Sequence, residues 1–317
     1  MRRKTIVIGT IALALAALAV AWLAYRRDVA REAERVAQGS QIANTRCGPI
    51  EYAAIGDGPA LLLVHGAGGG FDQGLGIAHE LAARGLKVIV MSRFGYLRTP
   101  LPQDASPAAQ ADAHACLLDA LGIERAAIVG ISAGGPSTMR FALRHAQRTS
   151  ALGLVVPLAY APRAEAAELS PLTRFMLERA VRSDLLYWSA LKAAPSLIIK
   201  TVLATPTEVV AGASQGEQAR VRELMQRLLP LSQRTDGLLN DAAVAATLER
   251  YALEKIAART LVVSLPDDLY GTYASAKYTA AQIPNARFVE YPSGGHVWVG
   301  HHEELLDELA ALGKAGH

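Results

Sequence analysis

Cysteine is nearly absent, with two residues in a chain of 317. Neither stands in a Cys-x-x-Cys pair, so a thiolate zinc site has no support and a disulfide framework is excluded. Cys116 sits in the apolar helical pattern DAHACLLDALG and reads as a buried small hydrophobe, and Cys47 lies in a strand-like segment. Long basic runs are missing too. Five of the 32 basic residues fall within residues 1–27, which hold no acid, and the remainder carries 27 basic against 29 acidic residues. With no block of five or more basic residues there, the sequence argues against nucleic acid as a partner. Internal repeats are absent, and alanine bias is the main compositional skew.

What the chain does have at its start is a long apolar run. MRRK is followed by 21 uncharged residues, Thr5 to Tyr25, and then by Arg26 and Arg27. A signal peptide has an apolar region of about 7–15 residues, whereas a spanning helix needs about 20. Length therefore favours a retained membrane anchor over residues 1–27. The alternative is a signal peptide cut at Ala19-Val20-Ala21. Basic residues flank both ends, so orientation is weakly specified. A short, strongly basic N-terminus stays cytoplasmic as a rule, which places the rest of the chain outside.

Residues 28–44 are charged and alanine-rich, the composition of a helical juxtamembrane stem. Beyond them, residues 45–317 alternate apolar runs with amphipathic stretches. Expected strands are 60–64, 87–91, 126–131, 152–156, 260–264 and 286–291, continuous runs of the kind buried on both faces of a parallel sheet. Ser106-Pro107 supplies an N-cap and a proline at the first helical position, and Gly122 ends that helix. Another helix is expected from about Ser137 to Gln147. Strand–helix alternation argues a doubly wound, mostly parallel α/β sheet. The rhythm breaks over about 158–250, a block of helical pattern with no strong strand, read as a helical cap over a pocket. Ser170-Pro171 starts one of its helices, and Thr205-Pro206-Thr207-Glu208 has the spacing of a capping box.

The segment VGISAGGPS (129–137) contains the pattern Gly-x-Ser-x-Gly at Gly130, Ser132 and Gly134. A pattern this short recurs by chance, but here it follows an apolar strand and precedes a helix, the context that a nucleophile elbow requires. A serine hydroxyl is a poor nucleophile at neutral pH and needs a base held by a carboxylate. The strand at 260–264 leads into Leu265-Pro266-Asp267-Asp268, and the strand at 286–291 leads into Gly294-Gly295-His296. The carboxylate is Asp268 if Leu265 takes the place of a loop glycine, with Asp267 as the alternative. An oxyanion needs two backbone N–H donors. Ala133 follows the serine, and the loop His65-Gly66-Ala67-Gly68-Gly69-Gly70 offers Ala67, with His65 in support. His79, His114 and His145 fall in helical patterns, and His301 and His302 read as solvated. No metal-ligand spacing is present.

From about Thr45 to Leu312 the chain resembles the α/β-hydrolase superfamily, in its cap-bearing group of esterases, C–C bond hydrolases and haloperoxidase-like enzymes. HGAGGG (65–70), SRFGYLRTP (92–100), GISAGG (130–135), SLPDD (264–268) and SGGH (293–296) carry the resemblance. It implies an α/β-hydrolase fold with Ser132 as nucleophile, Asp268 as acid, His296 as base and Ala67 with Ala133 as oxyanion donors, and no metal or organic cofactor. Ser92 stands where the group has an aspartate, and Leu97 where it has a second glycine. Val297, rather than a tryptophan, follows His296, with Trp298 next. The expected activity is hydrolysis of a small-molecule carboxylic ester of small or medium acyl size. One alternative is C–C cleavage of a dienoate-type acid, which calls for a cap cation such as Arg163, Arg174 or Arg182. The other is a non-catalytic ligand-binding homologue.

Overall fold

Continuous runs of leucine, isoleucine and valine are buried only when both faces of a sheet are covered. In the computed structural model, which describes residues 2–162, 179 and 181–315, such runs form β3 (Ala60–Val64), β4 (Lys87–Met91), β5 (Ala126–Ile131), β6 (Thr149–Val155) and β7 (Arg259–Ser264). With the edge strand β8 (Ala286–Glu290) they pair in parallel. Every residue of β3, β5 and β6 is buried. Alternation along β3 sends Leu62 and Val64 into one apolar cluster and Leu61 and Leu63 into the other.

Two strands precede these, β1 (Gln41–Thr45) and β2 (Gly48–Ile55), and the eight-stranded sheet runs β1-β2-β4-β3-β5-β6-β7-β8. Both are antiparallel to their neighbours. The sequence hides them because β1 is an edge strand of mixed polarity and β2 carries a buried charge, Glu51. The stem expected over 28–44 therefore ends early: α1 (Arg2–Ala37) is continuous, and β1 already begins at Gln41.

Helices α2 (Phe71–Ala83) and α11 (His302–Ala315) cover one face of the sheet. The other face carries α3 (Pro107–Ala120), α4 (Gly135–Arg144) and α10 (Thr272–Gln282). Ser106 caps α3 by accepting from the Ala109 N–H at 3.2 Å. The exclusion of a disulfide is overturned. Cys47, in the turn between β1 and β2, is bonded to Cys116 of α3, with Cα atoms 6.1 Å apart and a sequence separation of 69. Packing of α3 on β1 brings them together, a juxtaposition that spacing in the chain does not encode.

Between β6 and β7 lies the cap, with α5 (Asp184–Ala193), α6 (Pro195–Thr201), α7 (Thr207–Gly212), α8 (Gln215–Arg227) and α9 (Thr235–Ala246). Tyr187, Trp188, Ile198, Val221 and Met225 form a core of its own, separate from the two sheet faces. The capping box at Thr205 does not form: its hydroxyl bonds the Leu203 carbonyl, and Pro206 holds the N-cap position of α7. The helix start at Ser170-Pro171 lies outside the described residues.

The segment Val7–Ala37 of α1 is long and apolar enough to cross a membrane. Its last three turns instead bury Asp28, Glu32 and Val36 against the domain. Asp28 accepts from Trp188 Nε1 at 3.1 Å and pairs with Lys192 at 3.1 Å. Burial raises the Asp28 carboxyl, but hydrogen bonds from Trp188, Lys192 and Arg27 outweigh it and hold its pKa at about 2.

Closing a loop of this size removes roughly 4.4 kcal/mol of unfolded-state entropy in the chain-entropy account. The oxidised chain in urea should therefore show no thiol to a disulfide reagent before reduction, and Cys47→Ser with Cys116→Ser should lower the urea midpoint. A free thiol in the unreduced chain would contradict the pairing.

Candidate active site

The serine sits on a backbone that few side chains tolerate. Ser132 has φ 50° at the point where β5 turns into the 3-10 turn preceding α4. Its neighbours must be small for the turn to pack. A Cβ on Gly130 would lie 2.5 Å from Thr138 Oγ1, and one on Gly134 would lie 2.7 Å from the Val64 carbonyl. The turn holds Ser132 half-buried at the floor of a cavity of about 210 Å³.

His296 Nε2 is 2.9 Å from Ser132 Oγ, and His296 Nδ1 is 2.8 Å from Asp268 Oδ2. The Asp268 carboxylate also accepts from the Tyr270 N–H at 2.9 Å and from the Thr272 hydroxyl. The structure thus brings Ser132, His296 and Asp268 into one chain of hydrogen bonds. Asp267 faces elsewhere, accepting from the N–H groups of Gly294 and Gly295 at 2.9 and 3.0 Å and so bracing the loop that carries the histidine. The Ala204 carbonyl of the cap accepts from both His296 N–H and Leu269 N–H, tying the two loops together.

The loop after β3 is pinned at nearly every polar atom. Gly66 N–H donates to Gln73 Oε1 and Gly68 N–H to the Tyr96 hydroxyl, and the Gly69 carbonyl accepts from Arg234 at 2.5 Å. His65 Nε2 accepts from the Arg93 N–H, so Nδ1 carries the proton and donates to the Gly66 carbonyl at 2.7 Å. Burial, aided by the Arg93 charge, pushes His65 well below the usual histidine range and keeps it neutral. Ala67 lines the cavity, and among the described residues its N–H is left uncommitted. Ala133 is the second residue of the turn after β5, among the opening N–H groups that lack an intrahelical partner.

The sequence profile of the alpha/beta hydrolase fold matches residues 59–299. The chain belongs to this hydrolase family. A 2-hydroxy-6-oxo-6-phenylhexa-2,4-dienoate hydrolase of Comamonas testosteroni is 31% identical over 113 residues, 34% of this chain and 40% of that protein. Curated relatives at this level are matched over only 30–40% of their own length. Among solved structures, an alpha/beta hydrolase fold protein from Nakamurella multipartita is 28% identical with a TM-score of 0.69, covering 88% of this chain and all of the other. A bacterial membrane phospholipase A shares the fold at 20% identity and a TM-score of 0.65, covering 97% of this chain and 99% of that one.

Against other members of this hydrolase family, two departures in the loop after β4 now have a physical account. Ser92 donates to Glu51 at 2.7 Å and accepts from the Phe71 N–H at 3.0 Å, so the carboxylate comes from β2. Glu51 also accepts from Ser40 and Arg98. Leu97 holds φ 50°, the conformation that favours glycine there. His302, read as solvated, instead lines the cavity and bonds Glu80 at 2.8 Å. Of the cap cations, Arg182 is exposed and not among the cavity-lining residues, and Arg163 and Arg174 lie outside the described residues. Arg220 and Arg227 line the cavity in their place. Sequence reading missed Arg234, Asp72, Arg93 and Asp241, whose pairings are long-range. Their signal is a charge inside an otherwise buried pattern.

His114, buried against Ser137 and Met91, is likewise lowered to about 3, chiefly by burial. A histidine whose folded pKa is depressed stabilises fully above its unfolded value near 6.5 and loses that contribution as pH falls. Asp28, at about 2, keeps its full contribution across this window and loses it only in more acidic solution. Urea stability should therefore drop between pH 6.5 and 4.5 by about 1.4 kcal/mol per pH unit for each buried neutral histidine. His114→Gln should flatten the slope. A flat wild-type profile in that window would contradict both assignments.

Proposed function

We propose that this chain is a membrane-anchored serine hydrolase that cleaves carboxylic esters of short or medium apolar acyl groups through an acyl-enzyme. The observation that carries the reading is the continuous Ser132–His296–Asp268 chain beneath a cavity whose inner wall is apolar, with Leu63, Ile77, Ile131, Leu203 and Leu224. Ser132 Oγ attacks the ester carbonyl while His296 Nε2 takes its proton. Asp268 holds the imidazole in the tautomer that leaves Nε2 free and stabilises the imidazolium. The developing oxyanion is met by the N–H groups of Ala67 and Ala133, fixed in place before the reaction and so costing no reorganisation. His296 then protonates the leaving alcohol, and a water activated by the same nitrogen releases the acid.

A cavity of about 210 Å³ lies below the roughly 300–1,000 Å³ of drug-sized sites, which favours a short acyl chain. The charged rim, with Glu80, Arg220, Glu223 and Arg227, suits a polar leaving group. The apolar stretch of α1 supports the anchor. The Cys47–Cys116 bond fits an oxidising compartment and supports an extracytoplasmic domain.

A second reading is C–C cleavage of a dienoate-type acid, favoured by Arg220 and Arg227 in the cavity wall and by the name of the Comamonas testosteroni relative. Against it, Val297 follows the histidine.

A fluorophosphonate probe should label the full chain, and Ser132→Ala should abolish labelling. Ser132→Ala or His296→Ala should each lower kcat by about 10⁶-fold, and Asp268→Asn by about 10⁴-fold. Aryl esters of increasing acyl length should be hydrolysed best at the short end. Turnover of a ring-fission dienoate but not of esters would reverse the order of the two readings, and folded protein inert to the probe would sink both.

A further inference from the structure

The helix α5 of the cap packs against α1, away from the residues that line the cavity. Along α1, Tyr25 and Asp28 are one turn apart, and along α5, Trp188 and Lys192 are one turn apart. The Tyr25 ring meets the Trp188 ring edge-on at 5.7 Å. Asp28 accepts from Trp188 Nε1 at 3.1 Å and pairs with Lys192 at 3.1 Å. The rungs come in the same order on both helices, so α1 and α5 run side by side in the same direction where they touch. The apolar stretch of α1 precedes these rungs. The first turn of α5 therefore points back towards it.

That turn carries Leu185 and Leu186, which are 40% and 56% exposed on a cap whose other large apolar residues, among those described, are buried or half-buried except Leu197. Leu185 stands one turn before Trp188, as Trp22 stands one turn before Tyr25. Trp22 and Tyr25 lie 5.2 Å apart, with Arg26 over the Trp22 ring. Aromatic and arginine side chains in this arrangement mark the boundary between hydrocarbon and water. A helical turn rises about 5.4 Å, so Leu185 reaches the level of Trp22.

We infer that the first turn of α5 enters the lipid interface beside α1, giving the cap a membrane contact of its own. This rests on reading α1 as the anchor. The occupant is the headgroup layer of a bilayer, and its charge is argued from the exposed cations of α1, of α5 and of the segment leading into it: Arg26, Arg27, Arg31, Arg182 and Lys192, of which Arg27 and Lys192 also pair with Asp28 and Arg31 with Glu32, a surplus that attracts anionic lipid. The cap is then held at two points, by the Asp28 cluster and by the bilayer, and its orientation over the cavity is fixed with respect to the membrane. Leu197, 54% exposed but beyond the far end of α5, has no such contact.

The disulfide leaves the full chain without another thiol, so single cysteines can carry an environment-sensitive nitrobenzoxadiazole label. Leu13→Cys, Leu185→Cys, Leu186→Cys and Leu197→Cys would be reconstituted in phosphatidylcholine–phosphatidylglycerol vesicles with and without spin-labelled lipid. Labels at 13, 185 and 186 should shift to the blue and be quenched by the spin-labelled lipid, whereas the label at 197 should report water. Quenching at 13 with water-like emission at 185 and 186 would overturn the cap contact and leave the anchor standing. An unquenched label at 13 would overturn the anchor and this inference with it. A shielded label at 186 that ignores spin-labelled lipid and follows protein concentration would mean that a second copy covers the turn, which also overturns the inference.

Discussion

The left-handed backbone of Ser132 is the constraint around which the rest is arranged. A non-glycine residue with φ 50° costs on the order of 1–3 kcal/mol and persists only when its surroundings over-determine it. Here they do so through contact. Gly130 lets Thr138 of α4 close on β5, and Gly134 lets the turn seat against the Val64 and His65 carbonyls. The Ser132 carbonyl accepts from the Leu158 N–H at 2.9 Å, fixing the chain that leaves β6 for the cap. Strain at one residue thus sets the approach of a strand, a helix and the cap's entry.

The cap holds the candidate site in shape as well as covering it. Arg234, fully buried at the start of α9, pairs with Asp72 through two contacts and donates to the Gly69 carbonyl. Arg93 pairs with Asp241 of α9 at 2.6 and 2.7 Å while bonding the carbonyls of His65 and Gly66. Removing one partner of such a pair strands a buried charge and costs about 3–5 kcal/mol. Arg35, in the last turn of α1, adds a second guanidinium to Asp72 at 2.8 Å. The helix that carries the long apolar stretch therefore ends in the same ion cluster that shapes the loop bearing Ala67. Asp72 is held below the usual carboxylate range, burial being outweighed by Arg234 and Arg35.

Much of this was legible in the sequence where chemistry is local. Runs such as ALLLV, KVIVM and AAIVGI have one stable fate, and their strands begin and end where the runs do. The elbow pattern, the paired aspartates after β7 and the glycine-flanked His296 are local signals too, placed by the order of strands. The acid was ambiguous by one residue because both aspartates occupy one turn. Their separate partners, His296 for Asp268 and the Gly294 and Gly295 N–H groups for Asp267, exist only once β7 and β8 lie side by side.

By itself the sequence determined the sheet strands from β3 onwards, the turn that carries Ser132, and an N-terminal helix apolar enough to span a bilayer. These follow from periodicity, small residues and length, properties that neighbouring residues share. Tertiary structure alone decided the pairing of Cys47 with Cys116, the substitution of Glu51 and Ser92 for an expected aspartate, the failure of the Thr205 capping box, and the meeting of Arg35, Asp72 and Arg234. Each joins or depends on residues far apart in the chain. Their attraction acts only after the sheet and the cap have brought them within hydrogen-bond distance.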